Sequence, residues 1–145
     1  MRPLPLWLRL SVYAGFGALW VTGGVIFVLK HVLEATTEFG VVPHPWQPKA
    51  LAIHGLIAVP ALYLFGWMSA RHIGDAWRRG GNRSSGLVLL TLTALLALSG
   101  FAAYYLVEDA VRSANGWIHS LAGLVLIVPG LVHWIAGSRR RRGQT

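Results

Sequence analysis

The chain has 145 residues, of which 54% are hydrophobic and only 12% are charged. This balance is too apolar for a soluble domain of that length and is opposite to that of a disordered chain. The chain contains no cysteine, which excludes disulfides, thiolate ligation of iron–sulfur clusters, covalent c-type haem attachment and thiol catalysis. A formal net charge of +8 would suggest nucleic-acid binding on a soluble surface, but the basic residues are grouped as in a membrane protein.

Four apolar stretches are long enough to cross the ~30 Å hydrocarbon core of a bilayer as helices. They cover approximately residues 10–29, 50–70, 86–107 and 113–138. The first stretch exceeds the ~7–15 residues of a signal-peptide core, so we interpret it as a retained span. The sequence therefore predicts an all-α integral membrane four-helix bundle that forms a single domain over residues 1–145.

The basic residues predict the orientation of these spans. They concentrate at both ends and between spans two and three, at Arg2, Arg9, Arg71, Arg78, Arg79, Arg83 and Arg139–Arg142. The remaining loops hold Lys30, Lys49 and Arg112 beside most of the acidic residues. The positive-inside rule predicts that both termini are cytoplasmic. We interpret the terminal arginine run as a topology anchor beside anionic lipid, which we favour over nucleic-acid binding.

The loops differ in their predicted structure. The first outer loop holds Gly40 and three prolines, which predicts an ordered cap rather than a continuous helix. The inner loop from Arg78 to Ser85 predicts a helix stop followed by a serine N-cap for span three. The second outer loop, near residues 108–115, is so short that spans three and four should be antiparallel neighbours.

Four of the six histidines fall on spans two and four: His54, His72, His119 and His133. Ionisable residues inside a span are costly and usually mark a functional site with a partner. Neither predicted span contains an acidic residue, so the partner of each imidazole is another imidazole or a metal. We interpret His31 and His44 as surface or loop residues, with a proton carrier or part of a quinone pocket as the alternative.

The spacing of these histidines predicts two metal levels. His119 and His133 are fourteen residues apart, which places them within about 40° of one helix face and ~21 Å apart along it. His54 and His72 are eighteen apart and also share a face, ~27 Å apart. Under the predicted topology His54 and His119 lie at one depth, where two imidazoles can hold a haem iron from both sides. His72 and His133 predict a second level, although His72 has the alternative of an interfacial residue.

Small residues near these histidines predict room for a porphyrin. Gly123 and Gly137 each follow a histidine by four residues, on the same face one turn later. Helix–helix packing in the membrane is the alternative explanation of such glycines.

The four spans, the cytoplasmic termini, the fourteen-residue spacing and His54 resemble the bacterial four-helix membrane cytochrome b family, which includes cytochrome b-561 and the cytochrome subunit of formate dehydrogenase. The resemblance implies two b-type haems, with His54 and His119 holding the outer one. That family takes its remaining inner ligand from the start of span one, where this chain has no histidine. His72 is the inner candidate here, an arrangement more similar to the cytochrome b of quinol–cytochrome c reductase. One haem is the alternative if His72 is interfacial.

The resemblance also implies a function in the bacterial inner (cytoplasmic) membrane. It implies an electron relay between quinone or quinol and a periplasmic redox protein or larger respiratory complex. Lys49, Arg71 and Arg78 are candidate partners for haem propionates, with a purely topological role as the alternative. Two other functions stay open: a stand-alone haem oxidoreductase acting on quinone or superoxide, and a haem-free structural or assembly subunit.

Overall fold

A computed structural model of the protein describes residues 5–38, 40–78 and 83–142, with all their side chains except those of residues 75, 76 and 140–142. Arg2, Arg79 and the helix stop predicted at residues 80–82 lie outside the described residues. The helices are α1 (Leu6–His31), α2 (Gln47–Arg78), α3 (Arg83–Ala102), α4 (Asp109–Val125) and α5 (Ile127–Arg142). Two short strands, β1 (Ala35–Thr37) and β2 (Gly40–Val42), lie between α1 and α2.

Four segments of the described chain are long and apolar enough to cross a membrane, namely Leu6–His31, Gln47–Gly74, Arg83–Ala102 and Asp109–Arg139. They confirm the all-α class and the four predicted spans. Their surfaces carry large apolar side chains, such as Leu56 at 76% exposure and Val59 at 72%. Such a surface is stable when lipid covers it, because leaving so much apolar area in water is costly.

The helix ends differ from the predicted span ends. With 32 residues, α2 is about 48 Å long, well beyond the hydrocarbon thickness. Hydropathy marks only the lipid-facing part of such a helix, whereas its backbone hydrogen bonds continue into the polar ends. In contrast, α3 ends at Ala102, so residues 103–107 of the predicted third span belong to the loop. The α4 helix begins early, at Asp109, where a carboxylate in the first turn suits the helix dipole and pairs with Arg112.

The fourth span consists of two helices separated at Leu126. Pro129 lacks a backbone N–H and therefore cannot donate to the carbonyl of Val125, which interrupts the hydrogen-bond ladder. Hydrogen bonds from Leu126 N to Ala122 O (3.0 Å) and from Gly130 N to Leu126 O (3.2 Å) keep a helical path through the break. By contrast, α2 runs through Pro60 without interruption.

The chain divides into two compact units, Met1–Arg71 and His72–Thr145. In the first unit, α1 and α2 form an antiparallel pair. Gly15 allows a close approach, since a Cβ there would lie 3.1 Å from the Cβ of Ala61. Nearer the start of α1, the rings of Trp7 and Trp67 meet at 5.4 Å between centroids.

The loop between α1 and α2 contains a β-hairpin, so the connection is not a continuous helix, as predicted. Strands β1 and β2 pair antiparallel, with Ala35 opposite Val42 and Thr37 opposite Gly40. Gly40 has a φ of 107°, in the region where a residue without Cβ is favoured. The strand residues are exposed, so the hairpin presents its backbone and side chains to the surroundings.

In the second unit, α3 packs against α4 and α5, so spans three and four are antiparallel neighbours as predicted. Asn115 of α4 donates from Nδ2 to the carbonyl of Ser99 at 2.9 Å, which fastens the end of α3. At the other end, the Arg83 guanidinium donates to the carbonyl of Trp77 and lies 5.2 Å from its ring centroid. The predicted serine N-cap is wrong: α3 already begins at Arg83, so Ser84 and Ser85 both lie inside its first turn.

Thr93 in the middle of α3 provides a test of the packing. Its side chain is 4% exposed, and Oγ1 has no hydrogen-bond partner among the described residues. A buried hydroxyl without a partner lowers stability, so we expect Thr93→Val, which keeps the shape, to raise the free energy of unfolding by about 1 kcal/mol. The melting temperature in detergent reports the change in stability, and Thr91→Val, on the exposed side of α3, is the control. A lower melting temperature for Thr93→Val would contradict the expectation.

Candidate functional site

His54 of α2 lies against α1 in the first unit. Its Nδ1 is 2.8 Å from Oγ1 of Thr22, which joins the two helices by a hydrogen bond. The next residue along α1, Gly23, leaves space for the ring, because a Cβ there would lie 3.4 Å from His54 Cε1. The Nδ1–Cε1 edge of the imidazole therefore faces the Thr22 hydroxyl and Gly23.

His119 of α4 has the same surroundings in the second unit. Its Nδ1 is 2.9 Å from Oγ of Ser99 in α3, a side chain that is only 6% exposed. A Cβ on Gly100 would lie 3.2 Å from His119 Cε1, a tight contact that any larger residue would worsen. The Asn115 bond to the Ser99 carbonyl lies one turn before His119 and fastens the same part of α3.

His133 of α5 repeats this arrangement near the other end of α3. Its Nδ1 is 2.9 Å from Oγ of Ser85, and a Cβ on Gly86 would lie 3.5 Å from its Cε1. The fourteen residues between the two histidines equal the fourteen residues between the two serines. Since α3 is antiparallel to α4 and α5, the equal spacing produces two equivalent histidine positions, roughly 21 Å apart along the helices.

These three contacts use every Ser/Thr–Gly dipeptide in the sequence, here called the hydroxyl–glycine pairs: Thr22-Gly23, Ser85-Gly86 and Ser99-Gly100. Sequence reasoning missed them, because serine, threonine and glycine are common at helix–helix contacts in membranes. A signal was nevertheless present. The pairs on α3 are separated by the same fourteen residues as the histidines on the antiparallel span.

His72 lies beside His133 in the second unit. Their ring centroids are 6.1 Å apart and the ring planes are inclined by 83°. Two imidazoles that bind one metal ion from opposite sides, each at about 2 Å, have centroids roughly 6 Å apart. The structure thus brings together His72 and His133, the predicted inner pair. The predicted pairing of His54 with His119 involves both units and stays a prediction.

The three cationic residues predicted near haem propionates all lie on α2, with Lys49 in its first turn and Arg71 and Arg78 in its second half. Lys49 Nζ is 4.6 Å from the ring centroid of Trp46, and the Arg71 guanidinium is 5.4 Å from that of Trp67. Arg78 is exposed in the last turn of α2, where a positive charge suits the helix dipole. For all three residues, a role toward propionates stays a prediction.

The glycines predicted to make room for a porphyrin have different surroundings. Gly123 faces Leu96 of α3, whose Cδ2 would be 3.7 Å from an added Cβ, so it contributes to helix packing. Gly137 has no neighbour within 4 Å of such a Cβ among the described residues. The glycines that contact histidine rings are those of the hydroxyl–glycine pairs instead.

The two remaining histidines lie at the end of α1 and in the loop before α2. His31 is the last residue of α1, with its ring 4.9 Å from that of Phe27. His44 belongs to the loop before α2, where its Nδ1 accepts a hydrogen bond from the backbone N–H of Trp46 at 3.2 Å. Both positions agree with the interpretation as surface or loop residues.

Within residues 5–38, 40–78 and 83–142, no three or more His, Cys, Asp or Glu side chains gather around a common point. A zinc site needs three or four protein ligands, whereas haem needs only one or two axial ligands, typically histidine. Comparisons of the chain with family models, curated proteins and solved structures find no match.

Proposed function

We propose that the protein is a di-haem b-type membrane cytochrome that relays electrons between quinone and a redox partner in a bacterial inner membrane. The observation that carries the proposal is the 6.1 Å separation of the His72 and His133 rings, on helices of membrane-spanning length. It is supported by the hydroxyl contacts at Nδ1 of His54, His119 and His133, since a metal would then bind through Nε2 on the other edge of each ring.

The four histidines on spans two and four are the residues that would hold the haems. When bound, haem b supplies one-electron redox chemistry at a potential set by its axial ligands, burial and nearby charge. The chain's own contribution is to orient the imidazoles and to surround them with apolar helices. Water is thereby kept away, and an uncharged nitrogen ligand is compatible with the membrane interior.

An electron relay is favoured over a stand-alone enzyme by the positions of the histidines. His119 and His133 lie roughly 21 Å apart along span four, so they can serve redox centres at two depths of a bilayer about 30 Å thick. Exposed groups for a partner are found in the loop before α2. There Trp46 is 61% exposed, and Glu34 and Glu38 are exposed beside the hairpin. This loop is our candidate for docking of a redox protein or for a quinone site.

The test is a dithionite-reduced minus oxidised visible spectrum of the detergent-purified chain, with the haem extracted and counted per chain. Two b-type haems are the expected result. One haem per chain would instead favour the interpretation of His72 as an interfacial residue. A chain without haem would overturn the proposal and favour a structural or assembly subunit. Turnover of quinol or superoxide by the purified chain alone would favour the stand-alone oxidoreductase over the relay.

A further inference from the structure

The hydroxyl of Thr22 has more hydrogen-bond contacts than it has hydrogens. Besides His54 Nδ1 at 2.8 Å, its Oγ1 lies 2.8 Å from the carbonyl oxygen of Ala18 and 3.2 Å from that of Leu19. A hydroxyl donates one hydrogen, and a carbonyl oxygen can only accept. Two oxygens at 2.8 Å need a hydrogen between them, so the Thr22 hydrogen points to the backbone. The contact with His54 must then be donated by the imidazole, from Nδ1–H.

Ser99 repeats this arrangement at His119. Its Oγ lies 2.7 Å from the carbonyl oxygen of Leu95 and 3.3 Å from that of Leu96, again one turn back along the same helix. The hydroxyl hydrogen is therefore committed to a carbonyl, and Oγ accepts from Nδ1–H of His119 at 2.9 Å. A neutral imidazole that carries its hydrogen on Nδ1 has its lone pair on Nε2.

We propose that Thr22 and Ser99, and Ser85 at the equivalent position, are positioning residues that set the tautomer of His54, His119 and His133 so that Nε2 is the nitrogen for a metal. This inference rests on the proposed function and adds to it the groups that orient and tune the ligands. The neighbouring glycines lie beside each ring edge, most tightly at Gly100, where an added Cβ would be 3.2 Å from His119 Cε1.

A hydroxyl tied to a backbone carbonyl suits this role inside a membrane. Metal-binding histidines usually donate their other N–H to a carboxylate, a carbonyl or water, which orients the ring and raises its basicity. A carboxylate is costly within a span. In the chain from carbonyl to hydroxyl to imidazole, each hydrogen bond polarises the next, so the serine or threonine becomes a better acceptor without carrying a charge.

The experiment compares Ser99→Ala, Ser85→Ala and Thr22→Ala with the variants that keep a hydroxyl, Ser99→Thr, Ser85→Thr and Thr22→Ser. Thr91→Ala, on the exposed side of α3, is the matched control. Haem retention and the midpoint potential of each haem are measured on the full purified chain. The haem at the unaltered level reports whether each variant is folded.

We expect each alanine variant to weaken haem binding at one level by about 10-fold to 100-fold. The potential of that haem should become more positive, because a less basic imidazole stabilises ferric iron less. A tenfold change in the ratio of oxidised to reduced haem corresponds to about 59 mV for one electron. The hydroxyl-retaining variants and Thr91→Ala should resemble the parent chain.

Alanine variants with unchanged haem retention and potentials would overturn the positioning role while leaving the cytochrome proposal intact. If Ser99→Ala does not accumulate as folded protein, Ser99→Cys decides, because a thiol of similar shape is a weaker acceptor and should shift the potential in the same direction. If the parent chain purifies without haem, the proposed function fails. The tautomer is then read directly from ¹⁵N spectra of histidine-labelled chain, where Nε2–H on His54 and His119 would overturn the assignment.

Discussion

His119→Ala and His133→Ala are each expected to remove one b-type haem and to leave the other in place. The two residues lie fourteen apart on the fourth span, and each has its own hydroxyl–glycine pair on α3, so losing one imidazole leaves the other position intact. An axial imidazole would contribute the bond between protein and iron, and the described residues hold no cluster of three or more His, Cys, Asp or Glu side chains that would offer a spare ligand. The reduced-minus-oxidised spectrum and the haem count per chain measure the result.

Alanine variants of the partner histidines and of one loop histidine complete this experiment. His72→Ala should reproduce the spectrum of His133→Ala, because their rings are 6.1 Å apart. If His54 pairs with His119, as the sequence predicts, His54→Ala should reproduce the spectrum of His119→Ala. His44→Ala, in the loop, is the control that should keep both haems. Unchanged spectra for His119→Ala and His133→Ala would contradict the assignment of axial ligands.

Gly100→Val is expected to displace the His119 ring and to remove the haem at that level. Even a Cβ at this position would lie 3.2 Å from His119 Cε1, and the branched side chain of valine adds two further carbons on the same helix face. Overpacking of a tight contact shifts side chains and backbone. Because a metal ligand must keep its direction, we expect a larger effect on haem content than on the melting temperature. Both quantities are measured on the same purified sample.

The neighbouring glycines of α1 provide a matched comparison. Gly23→Val brings a side chain toward His54, since its Cβ would be 3.4 Å from Cε1 of that ring. Gly24→Val changes the next residue of the same helix, where a Cβ would meet no atom of the described part of the chain within 4 Å. We expect haem loss from the first variant only. Equal haem content in the two would indicate that these glycines act in helix packing alone.

Hydropathy and charge predicted the fold class because a segment that crosses lipid must be long, apolar and nearly free of charged residues. Four apolar stretches appear in the sequence, and the residues that the structure describes contain four helical segments of spanning length. The exact ends were less predictable, as at Ala102 and Asp109, because they depend on turns and on local charge pairs rather than on hydropathy. The break at Leu126 follows from Pro129, which the sequence displays, but whether a proline kinks a helix depends on its packing: α2 passes Pro60 unbroken.

The histidines could be selected as candidates from the sequence alone, since an ionisable residue within a span is costly and needs a partner. Periodicity along one helix also indicated that His119 and His133 share a face. Which atoms surround each ring was decided only by the tertiary structure. The hydroxyl of Ser99 reaches His119, and Gly100 leaves room for the ring, because α3 runs antiparallel to α4 at a particular register. A hydrogen bond of 2.9 Å depends on that register to a fraction of an ångström, whereas the composition of a helix face does not.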